Sequence, residues 1–433
     1  RSTLFPYTTL FRSPAGDKIK REAVLEEIII IGAGASGMFS AIKLKEKGIR
    51  VTVLEKNAEA LKKIYATGNG RCNITNTSID VKNYFGQNPK FAYSSIKNFT
   101  HTDSVKFFGD IGMMITSLQD GRSYPMSYEA KTVVEFLSMR AKELGVNIIF
   151  NTEVKEISFD EYFTLKTSNG DFFSEKLVIA TGGKAYSKSG STGDGFKFAK
   201  KFGHSIEYLY PGGVQLKTKE IFKNAQGVRI LGDVKLISNG KTLRRETGDI
   251  IIADYGITGS AVFQISANAL KLLKDMGKSI VEVDFLKDFT FEELKEKILK
   301  LISEFPKRNI ESLLKGFINH KLITYILKYS NIDKNKKSGE ISKTENEKLI
   351  KNLKGFPFTV LGAKDKENGQ FTCGGVSTFE VDNKTMESLK VKGLYFIGEV
   401  LDITGDCGGY NLHWAFASAN SLSVNLEGKR CSG

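Results

Sequence analysis

The chain has 433 residues, 41% of them hydrophobic, which suits a globular protein of two or three domains and excludes a disordered or fibrous chain. No apolar run reaches the roughly eighteen residues of a membrane span. Cys72, Cys373, Cys407 and Cys431 lack CxxC spacing, and His101, His204, His320 and His413 are unclustered, so neither a disulfide framework nor a zinc centre is expected and the cytoplasm is the simplest compartment.

The net charge is +14, yet the lysines are spread along the chain and many alternate with Glu, as in Phe291-Glu292-Glu293-Leu294-Lys295-Glu296-Lys297, a solvated helix face. No basic stripe interleaves with aromatics, so no nucleic-acid partner is expected. The positive field also suits anionic cofactor phosphates.

Residues 1–24 read as a leader foreign to the fold, with no periodicity leading into it and no signal-peptide pattern. The first element is the all-Ile strand Ile28–Ile31. It runs into Gly32-Ala33-Gly34-Ala35-Ser36-Gly37, a small-residue helix, the strand Val51–Leu54 and then Glu55-Lys56. Strand, glycine turn, helix, strand and acid in this order mark a dinucleotide-binding βαβ unit. Gly32 permits the tight turn, Gly34 lets the backbone approach a pyrophosphate, and Gly37 lets helix and strand pack closely. The helix N-terminus offers free N–H groups to the phosphates, and Glu55 is placed to accept from a ribose.

Next comes a polar loop, Gly68-Asn69-Gly70-Arg71-Cys72-Asn73, and then helices over Thr102–Phe108 and Ala130–Leu144, the second stopped by Gly145. Val146–Phe150 and Glu153–Ser158 read as strands, and Phe163–Thr167 with Asp171–Phe173 as a hairpin across Asn169-Gly170. A buried strand follows over 176–183, ending at Ala180-Thr181-Gly182-Gly183. Gly190-Ser191-Thr192-Gly193-Asp194-Gly195 leads into a helix over Phe196–Phe202. Residues 207–285 read as β-rich and 291–353 as helical, with an Asn368-Gly369 turn before Thr372-Cys373-Gly374-Gly375-Val376. The α/β pattern then resumes. A strand ends at Gly398-Glu399, Asp402 follows, and Gly408-Gly409-Tyr410-Asn411-Leu412 opens a helix over Leu412–Leu422. These glycines would let a flat ring lie against backbone, and the helix N-terminus would stabilise negative charge on it. Asp402 is placed to hold a ribityl chain or a phosphate water network.

Five segments together carry a resemblance: the Gly32–Gly37 turn, Gly68–Asn73, Ala180–Gly195, Thr372–Val376 and Gly398–Leu412. From about Glu27 to Ser418 the chain resembles the BaiN/YhiN-like bacterial NAD(P)/FAD-dependent oxidoreductases, also described as aminoacetone-oxidase-like FAD enzymes. The resemblance implies an α/β fold: a Rossmann-like, glutathione-reductase-type FAD domain (25–200 and 374–433) interrupted by a β-barrel-like insertion (201–290 and 354–373) and a small helical insertion (291–353). It implies FAD contacts at Gly32, Gly34, Ala35, Ser36, Gly37, Glu55, Lys56, Arg71, Cys72, Asn73, the backbone near Val154, Thr181, Gly182, Gly398, Glu399, Asp402, Gly409, Asn411 and Leu412. Ser123-Tyr124 before Pro125 departs from the family pattern on the substrate side.

Arg71 is expected at the FAD diphosphate, and packing is the favoured role for Cys72. His413 faces either flavin or core, and Tyr186 and Tyr255, beside glycine turns, receive no role. No second strand-GxGxxG-helix unit is present, so NAD(P)H is expected only as a transient co-substrate. The expected activity is a NAD(P)H-linked flavin reductase of an activated alkene or similar small organic substrate. An oxygen-using amine or aminoketone oxidase and a non-catalytic flavin-containing RNA- or protein-binding module are the other readings. Nothing in the sequence assigns an oligomeric state.

Overall fold

The computed structural model describes residues 25–365 and 369–426. The leader 1–24, Asn368 of the expected turn and Cys431 lie outside the described residues.

The chain divides into two units: one runs to Leu209 and resumes at Phe371, and the other is Tyr210–Gln370. The first is built on a seven-stranded sheet. Its strands are β1 (Leu25–Ile31), β2 (Val51–Leu54), β3 (Asn147–Ile149), β4 (Val154–Phe159), β5 (Phe163–Thr167), β6 (Gly170–Ile179) and β7 (Leu394–Phe396), in the order β3-β2-β1-β6-β5-β4 with β7 also on β6. The pairs β3–β2, β2–β1, β1–β6 and β6–β7 are parallel, while β6–β5 and β5–β4 are antiparallel.

The Ile run of β1 is buried on both faces, as a central parallel strand must be. The two strands expected around 171–183 form the single ten-residue β6, because both halves pair with β1, from Leu25↔Phe173 to Ile31↔Ile179. On its other edge β6 pairs first with β5 and then, from Leu177, with β7. The C-terminal strand thus completes the sheet that the N-terminal strand begins.

Three helices bear on the site: α1 (Ala35–Glu46), α2 (Asp194–Lys201) and α3 (Tyr410–Asn425). Helices α1 and α3 pack together, with the Phe39 and Phe416 ring centroids 5.3 Å apart, and both are buried along most of their length. A helix apolar all round belongs inside a core.

The second unit holds a closed six-stranded barrel: Leu216–Thr218, Gly256–Thr258, Lys241–Ala253, Arg229–Ser238, Ile280–Asp284 and Phe356–Ala363, returning to the first. The helices Phe291–Glu304, Ile310–Leu314, His320–Ser330 and Lys343–Lys354 share its core of Ile, Leu, Val and Phe. The β-rich expectation for 207–285 needs one correction, the 17-residue helix Ser260–Met276. Ala261, Val262, Ile265 and Ala269 are buried at helical spacing, a period masked by the flanking Ile- and Val-rich strands. Among the described residues no helix is long and apolar enough to cross a membrane.

Candidate functional site

The site is assembled where β1, β2, β6 and β7 end. Gly32 has φ +103°, and a Cβ there would lie 2.7 Å from the Ala180 carbonyl oxygen on the next strand. At Gly37 a Cβ would lie 2.0 Å from the Gly32 carbonyl oxygen, so only glycine lets α1 start this close to the turn. Gly34 differs: nothing stands within 4 Å of a Cβ there, so packing does not account for the missing side chain. Helix α1 begins with no side-chain cap and no acidic residue in its first turn, leaving backbone N–H groups for an external acceptor. Ala35 and Ser36 lie in that turn.

Glu55 is buried at the end of β2. One carboxylate oxygen accepts from Ala33 N–H (2.8 Å), and the other from Asn57 N–H (2.8 Å) and Asn57 Nδ2 (2.6 Å). The carboxylate therefore braces the glycine turn, and the oxygen facing Ala33 retains a lone pair. Lys56 pairs with Asp194 at 2.7 Å and donates to Thr192, tying β2 to the loop before α2. The Thr181 hydroxyl is buried without a protein partner, and Gly182 beside it has φ +70°. Val154 opens β4, two residues after Thr152, whose N–H donates to the Glu55 carbonyl (2.9 Å).

The C-terminal segment meets this turn directly. A Cβ on Gly398 would lie 2.6 Å from Ser36 Oγ, so the strand end and the first turn of α1 are in contact. Gly398 is fixed further by its N–H to Ser418 Oγ (3.0 Å) and by Trp414 Nε1 donating to its carbonyl (3.1 Å). The Glu399 carboxylate accepts from Lys63 (2.7 Å) and from Thr372 N–H (2.7 Å). Asp402 is buried, and its carboxylate accepts from Gln87 N–H (2.7 Å).

Asn411 closes the loop before α3: its Oδ1 accepts from Gly405 N–H and its Nδ2 donates to the Gly405 carbonyl, both at 2.8 Å. Gly409, with φ +99°, starts α3 without a side-chain cap, and a Cβ there would lie 2.4 Å from Thr75 O and 2.8 Å from Asn73 Oδ1. Leu412 follows in the first turn, half-buried.

In the loop 68–73 the backbone is left-handed at Gly68, Asn69, Gly70 and Cys72. Cys72 is fully buried, and burial pushes its thiol up to about 12 against a weaker opposing hydrogen bond to Thr67. It is a protonated packing residue. Arg71 is exposed, with its guanidinium 5.3 Å from the Tyr124 ring centroid.

His413 is also buried. Its Nε2 bonds the Phe99 carbonyl (2.9 Å) and its Nδ1 the Thr75 hydroxyl (2.9 Å). Since a carbonyl only accepts, Nε2 carries the proton and Nδ1 accepts from Thr75. Burial pulls the imidazole down to about 4, so His413 is a neutral bracket between α3 and its neighbours. Tyr186 has left-handed backbone, and Tyr255, in the second unit, lies under the Lys364 ammonium at 4.8 Å.

Lys63 and Thr372 are site neighbours to which sequence reasoning gave no role, and Tyr124 entered it only as part of the Ser123-Tyr124 departure on the substrate side. Only the folded chain supplies their partners.

The arrangement fits a dinucleotide. Two uncapped helix starts, open space at Gly34 and the remaining lone pair of Glu55 lie at the strand ends of a mostly parallel sheet, while the Thr181 hydroxyl is enclosed against Gly195. Among the described residues no three His, Cys, Asp or Glu side chains gather as a metal site.

The sequence matches the family described as HI0933-like protein Rossmann domain over residues 26–424. It is 35% identical to a 3-dehydro-bile acid delta(4,6)-reductase of Clostridium scindens, covering 91% of this chain and 97% of that one. It is 30% identical to a ribosomal RNA dihydrouridine synthase of Haemophilus influenzae, covering 93% and 98% respectively. Among solved structures, a 3-ketosteroid-delta4-(5alpha)-dehydrogenase from Rhodococcus jostii aligns over 94% of this chain and 98% of its own, at TM-score 0.48 and 14% identity.

Proposed function

This chain belongs to the HI0933-like Rossmann-domain family and is a FAD-dependent oxidoreductase, and on that footing we propose that it reduces a carbon–carbon double bond conjugated to a carbonyl, with NAD(P)H as reductant and a small organic molecule as acceptor. The observation that carries this reading is the 35% identity, over nearly the full length of both chains, with an enzyme named as a delta(4,6)-reductase of a 3-dehydro compound. The dihydrouridine synthase supports the bond type: its name implies saturating a uracil double bond that also adjoins a carbonyl.

FAD, when bound, carries two electrons from nicotinamide to the alkene. In this proposal Gly32, Gly34, Ala35, Ser36 and Gly37 present the start of α1 to the diphosphate, and Glu55 accepts from the adenosine ribose. Lys56, Val154, Thr181 and Gly182 border that half of the cofactor. Gly398, Asp402, Gly409, Asn411 and Leu412 shape the half that receives the ring system, beside Cys72 and Asn73. Glu399, bound to Lys63, fixes the strand end with its charge balanced. The uncapped start of α3 favours negative charge gathering on the ring edge nearest to it.

A specific observation favours a second reading, in which the acceptor is a uracil base in ribosomal RNA. Besides the 30% relative, residues 210–370 hold 29 Lys and Arg against 20 Asp and Glu, so this unit carries +9 of the chain's +14.

Anaerobic stopped-flow mixing separates these readings. NADH or NADPH is expected to bleach the bound flavin, and a 3-oxo-4-ene steroid to restore its colour. Restoration by an rRNA transcript alone would move the assignment to RNA. Bleaching by an amine, with peroxide formed on admitting oxygen, would establish the oxidase instead.

A further inference from the structure

We propose that Arg71 binds the carbonyl oxygen of the substrate, rather than the cofactor diphosphate; the assignment rests on the double-bond reduction proposed above. Three observations converge on it.

The first is that Arg71 is a cation held ready. Its guanidinium is exposed, and among the described residues no carboxylate lies within ion-pair distance of it. Its neighbour Arg122 is committed to Asp120, with Nε donating at 2.8 Å. The contacts that Arg71 does make fix its stem and plane: Nε donates to the Gly68 carbonyl at 3.4 Å, and the cation lies over the face of Tyr124. Both terminal nitrogens stay available for a forked pair of hydrogen bonds.

The second is the cost of the pose. Arg71 itself has ordinary right-handed backbone, but it is flanked by left-handed Gly70 and Cys72, and the loop is pinned by Arg71 N–H to Gly68 O (3.3 Å) and Cys72 N–H to Thr67 O (3.0 Å). Side chains held on strained backbone concentrate at functional sites.

The third is location. Tyr124 backs the loop, 3.5 Å from a Cβ placed on Gly68, and Arg122 Cγ lies 3.8 Å from one placed on Gly408. Asn73 and Thr75 press on Gly409. The strand pairing Thr75↔Ser123 and Asn76↔Arg122 locks these pieces together. Arg71 thus lies two residues before Asn73, which meets the start of α3, the end proposed to receive the ring system. The stretch leading into this loop meets the turn of α1 ten positions earlier, through Leu61 N–H to Ala33 O (2.9 Å).

The chemistry asks for such a group. The π bond breaks as its β carbon takes two electrons and a hydrogen from the reduced cofactor, and the α carbon then takes a proton. NAD(P)H is the species finally oxidised. Negative charge gathers on the carbonyl oxygen in between, where preorganised N–H donors lower the barrier. Arginine keeps its proton throughout, so Arg71 orients and stabilises while another group delivers the proton.

The test uses purified holoenzyme carrying R71Q or R71K. R71Q is expected to keep a full complement of flavin and the wild-type rate of bleaching by NAD(P)H, while kcat/KM for a 3-oxo-4-ene steroid falls by about 100-fold. R71K should recover part of that loss. Titration of the oxidised flavin spectrum with the steroid should show weakened binding in R71Q, a readout independent of turnover. Loss of flavin from R71Q would return Arg71 to the diphosphate and overturn the proposal. Wild-type steroid affinity and turnover in R71Q would overturn it too, as would the absence of any steroid titration in wild type. A wild-type protein that binds the steroid more tightly than R71Q but never reduces it would leave Arg71 as a ligand-binding residue and refute the reductase reading alone.

Discussion

Gly34 and Gly37, three positions apart, are glycines for different reasons, and substitution separates them. Gly34→Glu places a bulky anion where the diphosphate is proposed to lie, while its Cβ meets nothing in the protein. The variant is expected to retain no FAD, checked by flavin released on heating, and to unfold at the temperature of the flavin-stripped wild type; undiminished flavin would place the diphosphate elsewhere. Cys72 is predicted to resist alkylation at pH 8 in the folded protein, because burial holds it as the thiol; rapid labelling seen by mass spectrometry would contradict this. His413 makes stability depend on pH. A free imidazole titrates near 6.5, but this one is held down to about 4, so the unfolded chain takes the proton first. Its contribution is complete above about pH 6.5, drains as the pH falls and is gone below about 4, a loss of roughly 3 kcal/mol. Urea unfolding at pH 7 and 4.5 should show a smaller pH dependence in His413→Gln than in wild type.

Among elements, the junction of β1 with α1 is the least tolerant. Gly37→Val would drive a branched side chain into the Gly32 carbonyl, which cannot retreat without opening the turn against Ala180. The expected cost is at or above the upper end of the ~1–3 kcal/mol typical of overpacking, read as a lowered urea midpoint. Unlike Gly34→Glu, this change weakens the apoprotein itself. Helix starts show how local signals survive folding: Thr100–Asp103, Thr290–Glu293 and Ser342–Glu345 each form a reciprocal capping box. The helix Ser260–Met276 shows how such signals are missed, since it starts on Gly259 with no side-chain cap.

Across the full chain, the polypeptide leaves its first unit after Leu209, builds a second and returns at Phe371. The second has a closed barrel and a hydrophobic core of its own. Residues 210–370 expressed alone are therefore expected to fold cooperatively, with one sharp urea transition. A broad, non-cooperative transition would mean that this core depends on the rest of the chain.

The order of elements around β1, the glycine turn, α1 and Glu55 was legible in the sequence alone, because strand, turn and helix are written in the spacing of near neighbours. So was the family, through short glycine-rich segments whose backbone demands are local. Only the folded chain revealed that Lys63 balances Glu399 across 336 positions, that His413 is a neutral bracket, and that Arg71 lies against Tyr124 without a carboxylate partner. Such roles depend on which groups distant in sequence the fold brings together, and no periodicity along the chain records a neighbour that arrives only when the sheet closes.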